Sequence, residues 1–198
     1  MAPEANQPQV GPCLALVAMP GAGKSSLGRV LSRQLGLPFQ DADHEVERRI
    51  GMSIRDYFDA HGEPAFRDRE QEVLADLCRQ GPMVLATGGG AVLREANRDV
   101  LREACTVVYL RTSPEELARR LKHDRTRPLL QVDNPLRKLR ELYRQRDPLY
   151  RETAHFTIET GRPSVHALAA LVLMQLELAG IVDPARPVAA PSPEVAMP

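Results

Sequence analysis

Lysine is almost missing from this chain: only Lys24, Lys122 and Lys138 occur, and the other 23 of its 26 basic residues are arginines. Arginine suits planar, bidentate contacts with phosphate and carboxylate, although genomic base composition is enough to produce most of such a bias. Net charge is missing as well, with 26 acidic residues against the 26 basic ones. That balance offers no basic field to nucleic acid or to an acidic membrane, so small molecules are the expected partners. Cysteine is scarce, and Cys13, Cys78 and Cys105 form no C-x-x-C pair and lie in apolar surroundings. They read as reduced, packed thiols of a cytoplasmic protein, without a catalytic or metal role. The five histidines show neither H-E-x-x-H nor a Cys/His ligand spacing, which argues against a zinc site. With no G-x-S-x-G either, nothing points to nucleophilic catalysis. No apolar run approaches a membrane span, and MAPEANQPQVGP has no basic region leading into an apolar core. A cytoplasmic location without a spanning segment is expected.

What is present reads as one domain, since 198 residues at 43% hydrophobic allow one sizeable core. It runs over 11–181, between a polar N-terminal tail (1–10) and a Pro- and Ala-rich tail (182–198), both expected to be disordered. Short apolar runs at 13–18, 37–40, 83–87, 106–110 and 155–159 alternate with helical patterns. This alternation predicts an α/β fold of parallel strands joined by crossover helices. Ser113-Pro114-Glu115-Glu116 predicts a helix start with a capping box. Pro64 predicts the start of another helix, with Phe66, Val73, Leu74 and Leu77 on its apolar stripe and Glu70 inside that stripe. An ionised carboxylate facing inward needs a partner or a purpose. From 121 to 135 the chain is irregular and charged, as a lid or binding loop would be.

Four constellations carry chemistry. The first is VAMPGAGKSS, an apolar strand, a turn through Gly21, Ala22 and Gly23, then Lys24, Ser25 and Ser26 opening a helix. Backbone N–H groups at such a helix start bind phosphate, lysine neutralises its charge, and a serine hydroxyl ligates Mg²⁺. Ala18 stands where the G-x-x-x-x-G-K-[ST] pattern has its first glycine. A plain Gly-rich turn would explain the glycines but not a lysine at a helix N-terminus, where the dipole disfavours a cation without an anion. The second is Asp41-Ala42-Asp43 after a strand, suited either to metal and hydroxyl chemistry or to helix N-capping. The third is Thr87-Gly88-Gly89-Gly90, read as close backbone approach to a ligand with room for positive φ, or as a flexible turn. The fourth is arginine: Arg67, paired at i,i+3 with Glu70 or else in a surface ion pair, Arg127, and Arg146 before Asp147-Pro148-Leu149-Tyr150.

In order, GAGKSSLGR, FQDADHEVERRIGMSIRDYFDAHGEPAFRDRE, TGGGAV, RPLL and RDPLY resemble the shikimate kinase family over roughly residues 12–178. The resemblance implies a three-layer P-loop NTPase-like fold, a five-stranded parallel sheet between helices. It also implies a substrate-binding helical segment at about 42–70 and a lid at about 121–135. The implied activity is ATP-dependent phosphorylation of the shikimate 3-hydroxyl, giving shikimate 3-phosphate and ADP for aromatic amino-acid biosynthesis. A P-loop kinase of another polyol acid such as gluconate is the alternative. Gly21 to Ser26 would bind ATP, with Lys24 on the transferring phosphoryl group and Ser25 and Asp41 on Mg²⁺. Asp43 would orient or deprotonate the acceptor hydroxyl. Arg67, Arg146 and Gly88 to Gly90 would hold the acceptor, with Glu70 supporting Arg67. Arg127 would close over the phosphates, and Arg120 and Arg162 would lie near adenine. A monomer is expected. A nucleotide-dependent switch is the reading from another class, but the chain lacks N-K-x-D and such a switch has no use for Asp43, Arg67 and Arg146 together.

Overall fold

The computed structural model describes residues 13–122, 134–161 and 164–182. Arg127, Arg162, the N-terminal tail, the C-terminal tail beyond Val182 and most of the expected lid segment lie outside the described residues. Five strands form one parallel sheet in the order β2-β3-β1-β4-β5. They are β1 (Cys13–Val17), β2 (Phe39–Asp41), β3 (Val84–Ala86), β4 (Cys105–Arg111) and β5 (Phe156–Glu159). The expected runs all become strands, each with ends shifted by a residue or two. The largest shift is at β2, where Leu37 and Pro38 precede the strand and Asp41 closes it.

Covering helices are α1 (Lys24–Leu35), α2 (Ala42–Ile50), α3 (Ile54–Arg79), α4 (Glu95–Ala104), α5 (Pro114–Leu121), α6 (Pro135–Thr153) and α7 (Val165–Leu178). Helices α1 and α7 pack on each other, as do α3 and α4, and α4 and α6. Strands β1 and β3 are buried at every position, as expected of inner strands of a parallel sheet covered on both faces. Helix α1 buries Leu27, Val30, Leu31 and Leu35 along one stripe, and each fully buried leucine contributes about 2 kcal/mol of apolar transfer. Among the described residues no helix is long and apolar enough to cross a membrane. The three cysteines are free thiols, all buried.

Two helix details differ from the sequence reading. Helix α3 is two helices joined at Gly62, whose φ of 79° and ψ of 170° are non-helical. Pro64 therefore stands in the first turn of the second half, where its missing N–H costs nothing. At α5 the Ser113 hydroxyl caps Glu116 N–H at 3.2 Å. The Glu116 carboxylate is instead taken by Arg119 and Arg120 at 2.7 and 2.8 Å. Two cations outcompete a backbone N–H for one carboxylate, so only half of the expected box forms.

Strand β1 lies between β3 and β4, with the chain moving outward to opposite sides of it. Open parallel sheets bind ligands beyond the carboxyl ends of their strands at such a reversal. The glycine turn follows β1, Asp41 ends β2 and Thr87 to Gly90 follow β3, so three of the four constellations meet at that edge.

Candidate active site

A cleft of about 490 Å³ opens there, within the size range of small-molecule sites. Its walls include Gly21, Gly23, Lys24, Ser25, Ser26, Asp41, Asp43, Arg67, Glu70, Gly88, Gly89, Gly90, Arg120 and Arg146. Ala22 is the exception among the described candidates. Its side chain is buried and its N–H is spent on Met19 O at 3.2 Å, so the open amides begin one residue later.

At one end of the cleft α1 starts with Gly23 as its N-cap in a left-handed conformation, φ 91°, with no side-chain cap and no acid in the first turn. An uncapped helix start with a cation beside it is the chemistry of an anion cradle. The Lys24 ammonium donates to Ala18 O at 3.0 Å and Met19 O at 3.3 Å. Ala18 itself is fully buried without positive φ, so the alanine in the first-glycine position fits as ordinary backbone. Beside this loop the Ser25 hydroxyl donates to Asp41 Oδ2 at 2.6 Å. Two hard oxygens converging next to an anion cradle suit Mg²⁺, which takes few protein ligands and completes its shell with water and phosphate. Asp41 also accepts from Asp43 N–H at 3.1 Å and so caps α2. Capping and metal chemistry are compatible here, because the cap uses Oδ1 and the serine uses Oδ2.

At the other end Arg67 donates to Glu70 Oε2 at 2.6 Å and to Glu63 Oε1 at 2.9 Å. The Glu70 pair is the buried version, since the carboxylate is 2% exposed. Its second oxygen, Oε1, has no partner among the described residues. Burial raises the Glu70 carboxyl, opposed by the Arg67 charge and hydrogen bond. Burial likewise raises Asp43, opposed by Lys24. Arg146 is buried and donates to Gly89 O at 3.1 Å, while its Nε has no partner among the described residues. Phe58 and Phe66 flank Arg67, with their rings 6.0 and 5.1 Å from its guanidinium carbon.

The three glycines after Thr87 have no positive φ, which corrects that part of their reading. Close approach is their reason, and the groups approaching are the protein's own. A methyl at Gly88 would meet Asp43 Oδ1 and Glu70 Oε1 at 2.6 Å, one at Gly89 would meet the Pro20 ring at 2.7 Å, and one at Gly90 would land on the Arg67 guanidinium. Arg120 ties the glycine turn to the loop after β5, donating to Ala22 O at 3.3 Å and Gly161 O at 3.1 Å. Sequence reading did not single out Phe58 or Tyr150. Their only signal is membership of motifs whose charged residues draw attention first.

An anion cradle, an oxygen pair for Mg²⁺ and an arginine-lined acceptor pocket in one cleft define a P-loop phosphotransferase acting on a small anionic alcohol. Residues 20–177 match the family model described as shikimate kinase. A shikimate kinase of Paracidovorax citrulli is 59% identical over 179 residues, covering 88% of this chain and 98% of that one. One of Burkholderia thailandensis is 53% identical, covering 90% and 96%. Among solved structures, a shikimate kinase from Acinetobacter baumannii in complex with shikimate superposes with a TM-score of 0.82 at 47% identity, covering 87% of this chain and 96% of that one. The chain belongs to the shikimate kinase family.

Proposed function

We propose that this chain transfers the γ-phosphoryl group of ATP to the 3-hydroxyl of shikimate, giving shikimate 3-phosphate and ADP. The observation that carries the reading is the continuity of the phosphate-binding turn with the Asp43, Arg67 and Arg146 pocket in one cleft. The relatives named shikimate kinase support it over a gluconate kinase. The first-turn amides and Lys24 bind the polyphosphate and steady the transferring group. Ser25 and Asp41 hold Mg²⁺, which when bound neutralises charge on the phosphate oxygens. Asp43 orients the acceptor hydroxyl and receives its proton; burial and the loss of water make its carboxylate a stronger base than one in solution. Arg67 and Arg146 grip the acceptor carboxylate, and Glu70 holds Arg67 in place. Arg120 stands on the adenine side, and Arg127 and Arg162 keep the roles the family resemblance implies. Transfer then runs by positioning and charge, without a covalent enzyme intermediate.

The reading includes a monomer at work in the cytoplasm, the free buried thiols supporting a reducing compartment. A coupled ADP-release assay tests the activity. Shikimate should start turnover in the presence of MgATP, and gluconate should not. ATP turnover indifferent to shikimate would sink the reading, and stimulation by gluconate alone would replace it with the other kinase.

A further inference from the structure

The Gly89 carbonyl accepts two hydrogen bonds, from Tyr150 Oη at 2.6 Å and from Arg146 Nη1 at 3.1 Å. A methyl group on the same residue would meet the Pro20 ring at 2.7 Å. Gly89 is thus held between the phosphate-binding turn and α6. We infer that Tyr150 is a positioning residue of the acceptor pocket, acting through Gly89. Its hydroxyl satisfies the Gly89 carbonyl so that the Arg146 guanidinium is not drawn wholly onto the backbone and keeps donors for the acceptor carboxylate. The inference rests on the shikimate kinase reading of the cleft.

The surroundings of Tyr150 suit that task. The side chain is fully buried, and its ring stacks on Tyr109 with centroids 4.9 Å apart. Tyr109 is itself fixed by donating to Asp147 Oδ1 at 2.9 Å, and Asp147 also pairs with Arg111 and Arg151 at 3.2 and 2.8 Å. A ring anchored in this way cannot swing its hydroxyl off the carbonyl without breaking the stack. Burial also raises the Tyr150 phenol, which keeps it protonated and donating. Arg146 shows the complementary feature, a buried Nε with no partner among the described residues. The same residue lines the cleft, where its other N–H donors can meet a ligand acceptor. Were the carbonyl left with Arg146 alone, it would compete with that ligand.

Tyr150→Phe tests the inference while keeping the ring stack. The KM for shikimate should rise about tenfold, equivalent to about 1.4 kcal/mol. The KM for MgATP should stay within about twofold and kcat within about threefold, the split expected for lost acceptor positioning. The carbonyl-carbon resonance of Gly89, read with ¹³C-labelled glycine, should move upfield as its hydrogen bond is lost. An unchanged shikimate KM, both KM values rising together, or an unmoved Gly89 resonance would each overturn it. Failure of the underlying reading looks different: the wild-type chain itself would neither turn over shikimate nor gain melting temperature from it.

Discussion

Burial pushes the Asp43 carboxyl above its ordinary range, while Lys24 pulls it back down. The same burial that strengthens Asp43 as a base makes its ionised form costly to the fold, so activity and stability oppose each other at this residue. Asp43→Asn should lower kcat by about 100-fold or more and leave the KM for MgATP nearly unchanged. It should at the same time stabilise the protein by about 1 kcal/mol at neutral pH, since the amide carries no charge to desolvate. Steady-state kinetics and urea denaturation on one preparation check both halves. Gly90 offers a sharper test of the acceptor grip, because the atoms nearest to a methyl there belong to the Arg67 guanidinium, which it would displace. Gly90→Ala should therefore reproduce Arg67→Ala, with a shikimate KM raised roughly tenfold or more and little change for MgATP. Most of this site was legible residue by residue, since lysine in a glycine turn and glutamate in an apolar stripe each conflict with their local setting. The glycines after Thr87 were legible only as glycines. Their reason is contact with Pro20, Asp43, Glu70 and Arg67, which lie 18 to 69 positions away and meet them only in the fold.

At the scale of elements, apolar runs were enough to place all five strands but not their ends. The fault at β2 is instructive. Pro38 cannot donate to a ladder, and its carbonyl instead accepts from Val84 N–H at 2.9 Å just before pairing begins. Helix α3 was legible as to face but not as to break. Pro64 marked a helix start, yet the residue that allows the bend is Gly62, whose backbone conformation is nearly closed to other residues. The bend sets Phe58 from the first half against Phe66 from the second, ring centroids 4.6 Å apart, as the apolar floor beside Arg67. Gly62→Ala should destabilise the protein by about 1–3 kcal/mol in urea denaturation and raise the shikimate KM, because the two phenylalanines no longer meet. A loss of stability with an unchanged KM would detach the bend from the pocket.

At the scale of the molecule, the pH dependence of stability should carry two opposing signatures. Asp43 and Glu70 have folded-state pKa values raised by burial, so what they contribute is present at low pH and lost as pH rises through those values. His155 behaves in the opposite sense. Its Nδ1 accepts from Val107 N–H at 3.0 Å while its backbone N–H donates to Val107 O at 2.9 Å, which starts the pairing of β5 with β4. A proton on Nδ1 would remove that acceptor, and burial together with the Arg102 charge lowers its pKa below 6.5. Its contribution is present above 6.5 and lost as pH falls through the lowered value. Glu45 and Glu116, held down to about 2 by hydrogen bonds from Arg48 and Arg119 in the first place, add losses between 4.5 and 2. Urea midpoints measured from pH 3 to pH 8 should therefore pass through a maximum on the acid side of neutrality. Asp43→Asn should flatten the decline toward alkaline pH, and His155→Ala should flatten part of the decline toward acid. If Asp43→Asn leaves the alkaline limb as steep as in the wild type, the active-site carboxylates are not what the fold gives up when it is held at its working pH.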